Sequence, residues 1–272
     1  MPTTPTDPTL HHPRILCLHG GGVTASAFRL QSRVLINHLA PYFRLVFADG
    51  PFLCDAGPGI IPVYADYGPF RRWLRWLPEH PECDAESAID EIWYQLRLAM
   101  EEDNQAGADG EWVGLLGFSQ GAKMSASLLF DQQVREEKGV NEAKEKTSWR
   151  FAVLLAGRAP LVSLSEHTEG IKGLQNVSLI SEGFDKLDNP DGSHRLKLPT
   201  VHVHGLKDAG LHLHRRLLEQ YCEPGSATVV EWEGDHRVPI KSGDVKKVVN
   251  AILDVARETD VLTVEEIING TS

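Results

Sequence analysis

Gly117-Phe118-Ser119-Gln120-Gly121 is the segment of this 272-residue sequence whose residue types and spacing most directly spell out a reaction. It follows an apolar run, Trp112 to Leu116, and precedes a stretch with helical periodicity. A serine on such a strand–turn–helix corner projects above the sheet. Glycines two positions to either side remove Cβ atoms that would collide in so tight a turn. A serine hydroxyl is a poor nucleophile until a base takes its proton, and in this architecture acid and then histidine follow the serine along the chain. His236, in Gly234-Asp235-His236-Arg237 after the last apolar run, suits the base. Asp208, in Gly205-Leu206-Lys207-Asp208 after the run Thr200 to His204, suits the orienting acid, with room for one helix and one strand between the two. Asp185 and Asp188 compete for that role, since Val177 to Ile180 could form a strand of its own. Asp208 could also simply cap the helix that follows it.

Charge develops on an acyl oxygen during attack, so backbone N–H donors must already point at it. Gln120, the residue after the serine, supplies one. The turn His19-Gly20-Gly21-Gly22 supplies the other, with Gly21 the first choice and Gly22 the second. The same turn read as a nucleotide-phosphate loop lacks both GxGxxG and a P-loop lysine. The remaining histidines are less well placed. His202 and His204 alternate on one strand and suit buried, hydrogen-bonded roles, while His212 and His214, two apart on a helix, do not share a face.

These residues must be carried by elements that converge. Six short apolar runs read as strands buried on both faces: Arg14 to Leu18, Phe43 to Phe47, Trp112 to Leu116, Phe151 to Leu155, Thr200 to His204 and Ala227 to Trp232. Helical patterns lie between and after them over Glu86 to Glu101, Ala122 to Val134, Leu211 to Tyr221 and Val245 to Ala256. Alternation of this kind predicts an α/β domain with a mostly parallel central sheet flanked by helices. The predicted organisation is a disordered lead-in over 1–12, one domain over 13–258 and a C-terminal tail over 259–272. Two irregular stretches, 51–81 and 160–199, are insert or lid candidates. The charged run from Arg135 to Thr147 reads as a solvated helix end or loop.

Composition narrows the function. A formal charge of −11 disfavours nucleic acid and anionic membrane surfaces as partners. No stretch of about 18 apolar residues predicts a membrane span, and the polar, Pro-rich start has no signal-peptide character, so the expected location is cytoplasmic. The four cysteines are widely spaced without CxxC, and neither HExxH nor a dinucleotide loop occurs, so the expectation is no metal and no organic cofactor.

Leu18-His19-Gly20-Gly21-Gly22, the stretch Gly114 to Ala122, the stretch His202 to Asp208 and Gly234-Asp235-His236 together resemble the family of serine hydrolases within the α/β-hydrolase superfamily. The resemblance extends from about residue 14 to 257. Ala56 to Gly59, Gly68 to Trp73 and Cys222 to Ser226 are similar to the fungal branch found in polyketide gene clusters, the branch of the lovastatin-pathway thioesterase. It implies the α/β-hydrolase fold and a triad of Ser119, Asp208 and His236. Ala209 departs from the proline that many members carry after the acid, at a position not asked to react. The implied reaction is release of an acyl chain, a polyketide, by thioester hydrolysis through an acyl-Ser119 intermediate, with the substrate presented by the acyl carrier protein of a polyketide synthase. The alternative is a carboxylesterase acting on small oxygen esters. Phe52, Tyr64, Phe70 and Trp73, in the aromatic segment Pro51 to Trp76, are candidates to line an acyl pocket, against the alternative of a satellite core under a loop. Arg71, Arg72 and Arg75 could receive a phosphate or carboxylate, or form a solvated basic face.

Overall fold

All six apolar runs become strands of one sheet in the computed structural model, which describes residues 7–140, 147–181 and 191–270. These are β1 (Arg14–Leu18), β2 (Arg44–Ala48), β5 (Trp112–Phe118), β6 (Phe151–Leu155), β9 (Thr200–Gly205) and β10 (Ala227–Trp232). Two-residue strands complete the count: β3 (Phe52–Leu53) and β4 (Arg71–Arg72) pair antiparallel, β7 (Val162–Ser163) and β8 (Gln175–Asn176) pair parallel. The main sheet has the order β10-β9-β6-β5-β1-β2, and all of its pairings are parallel. Seven helices occur among the described residues: α1 (Ala25–Gln31), α2 (Arg33–Leu39), α3 (Ala85–Gln105), α4 (Gln120–Glu137), α5 (Leu211–Tyr221), α6 (Ser242–Glu258) and α7 (Val264–Gly270). None is long and apolar enough to cross a membrane.

The continuous apolar character of the strands follows from two cores rather than one. Ile15, Cys17, Phe151 and Val153 face a cluster built with Phe28, Leu35 and Ile252 from α1, α2 and α6. Their neighbours Leu16, Leu18, Ala152 and Leu154 face the opposite cluster, with Trp93 and Leu96 of α3 and Leu128 and Leu129 of α4. In β1, β5, β6 and β9 alternation across the strand thus leaves no face for water. The edge strand β10, also expected to be buried on both faces, instead leaves Thr228, Val229 and Glu231 exposed. Helix α4 is buried over every residue from Gly121 to Val134. Three of its polar side chains bond backbone groups of the chain that covers it. Gln132 exchanges two hydrogen bonds with Trp149, Gln133 accepts from Lys197 N and donates to the Arg195 carbonyl, and Ser127 accepts from Val162 N.

The ends are more ordered than the sequence suggests. Residues 7–12, expected in the lead-in, are fastened to the domain: Arg44 donates to Asp7 at 2.6 Å, and Asp109 N donates to the Leu10 carbonyl at 3.1 Å. The expected tail 259–272 contains α7, against which Tyr42 donates its hydroxyl to the Ile267 carbonyl at 3.2 Å. Val177 to Ile180 is not a strand, the nearest being the two-residue β8.

Two histidines are built into this framework uncharged. Burial pushes His19 down to about 4 and His202 down to about 3. The unfolded chain, with its histidines near 6.5, therefore binds protons between about pH 6.5 and those values that the folded chain refuses. Stability is fully present above that window and falls as pH drops through it, by about 1.4 kcal/mol per pH unit for each such histidine. Urea midpoints should accordingly decline between pH 6.5 and about 4.5, before the carboxylates titrate, and His202→Gln should flatten the decline. A midpoint constant down to pH 4.5 would show that both rings are protonated in the folded protein.

Candidate active site

Ser119 stands between the last residue of β5 and the first of α4, with φ 54° and ψ −111°. A non-glycine residue there costs about 1–3 kcal/mol and persists only where its surroundings over-determine it. Ser119 N donates to the Leu155 carbonyl at 2.8 Å, and the Ser119 carbonyl accepts from Ala122 N and Lys123 N at 3.1 Å each. The flanking glycines leave no alternative. A Cβ on Gly117 would lie 2.2 Å from the Gly121 carbonyl oxygen, and one on Gly121 would lie 2.0 Å from that of Leu18.

The acid and the histidine arrive from the ends of β9 and β10, whose loops are laced together. Leu206 N donates to the Trp232 carbonyl at 2.9 Å and Lys207 N to that of Gly234 at 2.8 Å. A Cβ on Gly205 would meet the Asp235 carbonyl at 2.5 Å, so the loops touch through bare backbone. Asp208 accepts from Gly210 N at 2.7 Å through Oδ1 and from His236 Nδ1 at 2.6 Å through Oδ2. His236 Nε2 lies 3.0 Å from Ser119 Oγ. A carboxylate only accepts, so Nδ1 carries the ring proton and the Nε2 lone pair faces the serine hydroxyl. Burial works against the Asp208 charge, yet the Gly210 N–H and the His236 hydrogen bond and charge outweigh it and hold the carboxyl below its ordinary value. Asp208 therefore stays ionised while its side chain is almost wholly buried, and His236 keeps 37% of its side chain exposed.

The glycine turn after β1 is set by His19. This ring is fully buried, and its Nε2 accepts from Gly50 N at 2.8 Å, so Nδ1 is the donor to the Gly20 carbonyl at 2.7 Å. Gly22 N donates to the Arg71 carbonyl at 2.9 Å, which removes this second-choice residue as an anion donor. The N–H groups of Gly21 and Gln120 have no acceptor among the described residues. The Gln120 side chain adds something its place in the sequence did not suggest. Its Oε1 accepts from Trp73 N and Leu74 N at 2.8 and 3.1 Å, and its Nε2 donates to the Leu74 carbonyl at 3.1 Å.

That anchoring corrects the expectation for Trp73. The residue is fully buried, and its indole N–H donates to the His19 carbonyl at 3.0 Å, so it backs the glycine turn instead of lining a pocket. Trp76 takes the place over the turn: a Cβ on Gly21 would lie 2.8 Å from its ring. Tyr64 and Phe70 are half-buried against one core cluster, and Phe52 lies under the Arg72 guanidinium at 4.8 Å. The three arginines do not form a basic face. Arg72 is buried over Phe52, Arg71 donates to the Gly50 carbonyl and Arg75 to that of Ser178. A cavity of about 1230 Å³ between α3 and residues 163–177 contains none of the predicted site residues. The competing acids Asp185 and Asp188 lie outside the described residues.

Three substitutions test this arrangement. Ser119→Ala should lower ester turnover by ~10⁶ with an unchanged melting temperature, and Asp208→Asn by ~10⁴ through loss of the correct imidazole tautomer. Gln120→Ala keeps its backbone N–H but frees the Trp73–Leu74 segment, so its loss should stay below the ~10²–10³ typical of a deleted oxyanion donor. Steady-state kinetics on a chromogenic ester reads all three, and more than a few per cent activity in Ser119→Ala would place the nucleophile elsewhere.

Comparison with known proteins gives the family and the fold. Esterase pigG of Monascus ruber is 52% identical over 261 residues, covering 94% of this chain and 96% of that protein. Esterase citA of Monascus ruber is 52% identical over 254 residues, covering 93% and 95%. Among solved structures, Zea mays acyl-protein thioesterase 2 superposes with a TM-score of 0.53 at 16% identity over 90% of this chain and 94% of that one, which shows a shared α/β-hydrolase fold. Residues 9–248 match the family model described as serine hydrolase (FSH1), and with relatives this similar along nearly their whole length the chain belongs to that family of acyl-bond hydrolases.

Proposed function

We propose that this protein releases an acyl chain from a thioester by way of an acyl-Ser119 intermediate, the chain being a polyketide held on the acyl carrier protein of its synthase. The observation that carries the mechanism is the unbroken line Asp208–His236–Ser119, with links of 2.6 and 3.0 Å. Ser119 Oγ attacks the thioester carbonyl as its proton passes to His236 Nε2. The oxyanion forms against the N–H groups of Gly21 and Gln120. Collapse breaks the carbon–sulfur bond, and the imidazolium returns its proton to the departing thiolate. Water then repeats the sequence: His236 takes its proton, the hydroxide adds to the acyl carbon, and Ser119 leaves with that proton, freeing the acid. Asp208 keeps its negative charge throughout and stabilises the imidazolium.

The polyketide reading rests on the resemblance carried by Ala56 to Gly59, Gly68 to Trp73 and Cys222 to Ser226. Half-buried Trp76 offers apolar surface beside the glycine turn. A second reading, hydrolysis of small oxygen esters, is favoured by the names of the two relatives, both esterases. The same triad serves either substrate, so the leaving group and the chain decide.

Each added methylene that is buried contributes roughly 0.8 kcal/mol, about fourfold in kcat/KM if realised in the transition state. Activity on acyl thioesters should therefore climb with chain length until the apolar surface is covered, then fall. Trp76→Ala should move that optimum while sparing acetyl-ester hydrolysis. The comparison that separates the readings sets release from a loaded acyl carrier protein against hydrolysis of an oxygen ester of equal chain length. Preference for the oxygen ester, or no dependence on length, would reduce the protein to a generalist carboxylesterase.

A further inference from the structure

Behind Asp208 lies a side chain that the mechanism does not use. His214, on α5, has no exposed surface, and neither of its ring nitrogens has a hydrogen-bond partner among the described residues. Leaving buried polar atoms unmet is unfavourable. The unmet Nε2 is aimed at the site, 3.6 Å from Asp208 Oδ2, and the His214 ring centre lies 6.1 Å from that of His236. One ligand atom from each of Asp208, His214 and His236 falls within 4.8 Å of the other two.

We propose that these three side chains form an inhibitory site for Zn²⁺, in which the cation replaces the proton between His236 Nδ1 and Asp208 Oδ2. Zinc takes imidazole nitrogen and carboxylate oxygen at about 2.0–2.2 Å in a tetrahedron, which sets ligand atoms roughly 3.3 Å apart. The separations in the site, 2.6 Å from His236 to Asp208 and 3.6 Å from His214 to Asp208, bracket that value. The third separation, between His214 and His236, is at most 4.8 Å, so side-chain adjustment closes three ligands around one ion, and water fills the fourth position. His236 is the half-exposed member and gives the ion its way in. Two nitrogen donors and one oxygen select against Mg²⁺ and Ca²⁺, which require shells of oxygen.

Inhibition follows from the proton on the imidazole. With zinc on Nδ1, the ring's single proton moves to Nε2, and no proton is gained or lost. An Nε2–H donates and has no lone pair to accept the Ser119 hydroxyl proton, so the base is lost although the serine remains in place. Metal binding stands on the three ligands alone, whereas the loss of activity rests on the triad assigned under the proposed function.

The full-length protein, treated with EDTA and desalted, is titrated with ZnCl₂ while ester hydrolysis is followed. In parallel, the Ser119→Ala variant is titrated with CoCl₂ and its visible spectrum recorded. The expected results are inhibition by zinc that EDTA reverses, no effect of Mg²⁺ or Ca²⁺, and stoichiometric absorption bands of tetrahedral cobalt. Outer-shell partners alone are commonly worth about 10–100-fold in metal affinity, so His214→Gln should raise the inhibitory zinc concentration at least about tenfold and abolish the cobalt bands. His214→Cys, which restores a zinc ligand, should recover both and guards against a variant that merely misfolds. Equal inhibition of wild type and His214→Gln would place the metal elsewhere and overturn the site, as would a silent cobalt spectrum. Cobalt bands that depend on His214, with undiminished hydrolysis under saturating zinc, would overturn the inhibitory role and the triad reading together.

Discussion

The backbone of Ser119, held at φ 54°, is tolerable only because three chain segments press against it without side chains between them. Gly121 lies against the Leu18 carbonyl at the end of β1, and Gly117 lies against Gly121 itself, at distances where any Cβ would overlap backbone. Strand β1, strand β5 and helix α4 are thereby fixed to one another at van der Waals contact, at the point where the serine leaves the sheet. Strain of about 1–3 kcal/mol at one residue is small beside the burial in the two cores that flank these strands. The sheet and its helices supply that burial, and the chemistry depends on the contact they enforce.

A parallel sheet also explains why residues far apart in sequence meet. Every main strand runs in the same direction, so the loops after β1, β5, β9 and β10 open on one edge, the usual position of a ligand crevice in such folds. The glycine turn His19 to Gly22, Ser119, Asp208 and His236 each occupy one of those loops. Their order across the edge follows the strand order, with β10 and β9 adjacent, so Asp208 and His236 come from neighbouring strands whose loops are joined through the backbone contact at Gly205. The line of hydrogen bonds then crosses from that pair to Ser119.

Much of this was legible in the sequence because the same constraint writes itself in residue types. Gly117 and Gly121 mark the elbow, and apolar runs with no polar alternation mark strands buried on both faces. Asp208 could be ranked above Asp185 because it lies in the loop after the run Thr200 to His204, with room for one helix and one strand before His236. What escaped the reading is physical too. Helices α1 and α2 are seven residues each and turn apolar side chains such as Phe28 and Leu35 inward, too few for a period to emerge. Helix α4 is buried from Gly121 to Val134 although it carries Lys123, Asp131, Gln132 and Gln133, residue types that give no sign of burial in the sequence. Trp73 looked like pocket lining because an aromatic in an irregular segment carries no sign of which way it points. Only the hydrogen bond from its indole to His19 settles that.

The irregular segment from Pro51 to Trp76 shows how a stretch without regular structure can be rigid where it matters. Gly57 N donates to the Gly22 carbonyl, Gly22 N to the Arg71 carbonyl and Arg71 N to the Val23 carbonyl, each at 2.9 Å, so the segment is stitched to the oxyanion turn. Gln120 grips it from the other side through Trp73 and Leu74. One residue therefore follows Ser119 directly and holds the segment opposite through its side chain. Between these anchored points, Ile61 and Val63 stand 52% and 72% exposed and take no part in the stitching. Their apolar side chains can differ without moving Gly21 or Gln120, because the hydrogen bonds around both run through backbone atoms, the His19 ring, the Trp73 indole and the Gln120 amide. The segment thus separates a face free to vary from the donors that must not move.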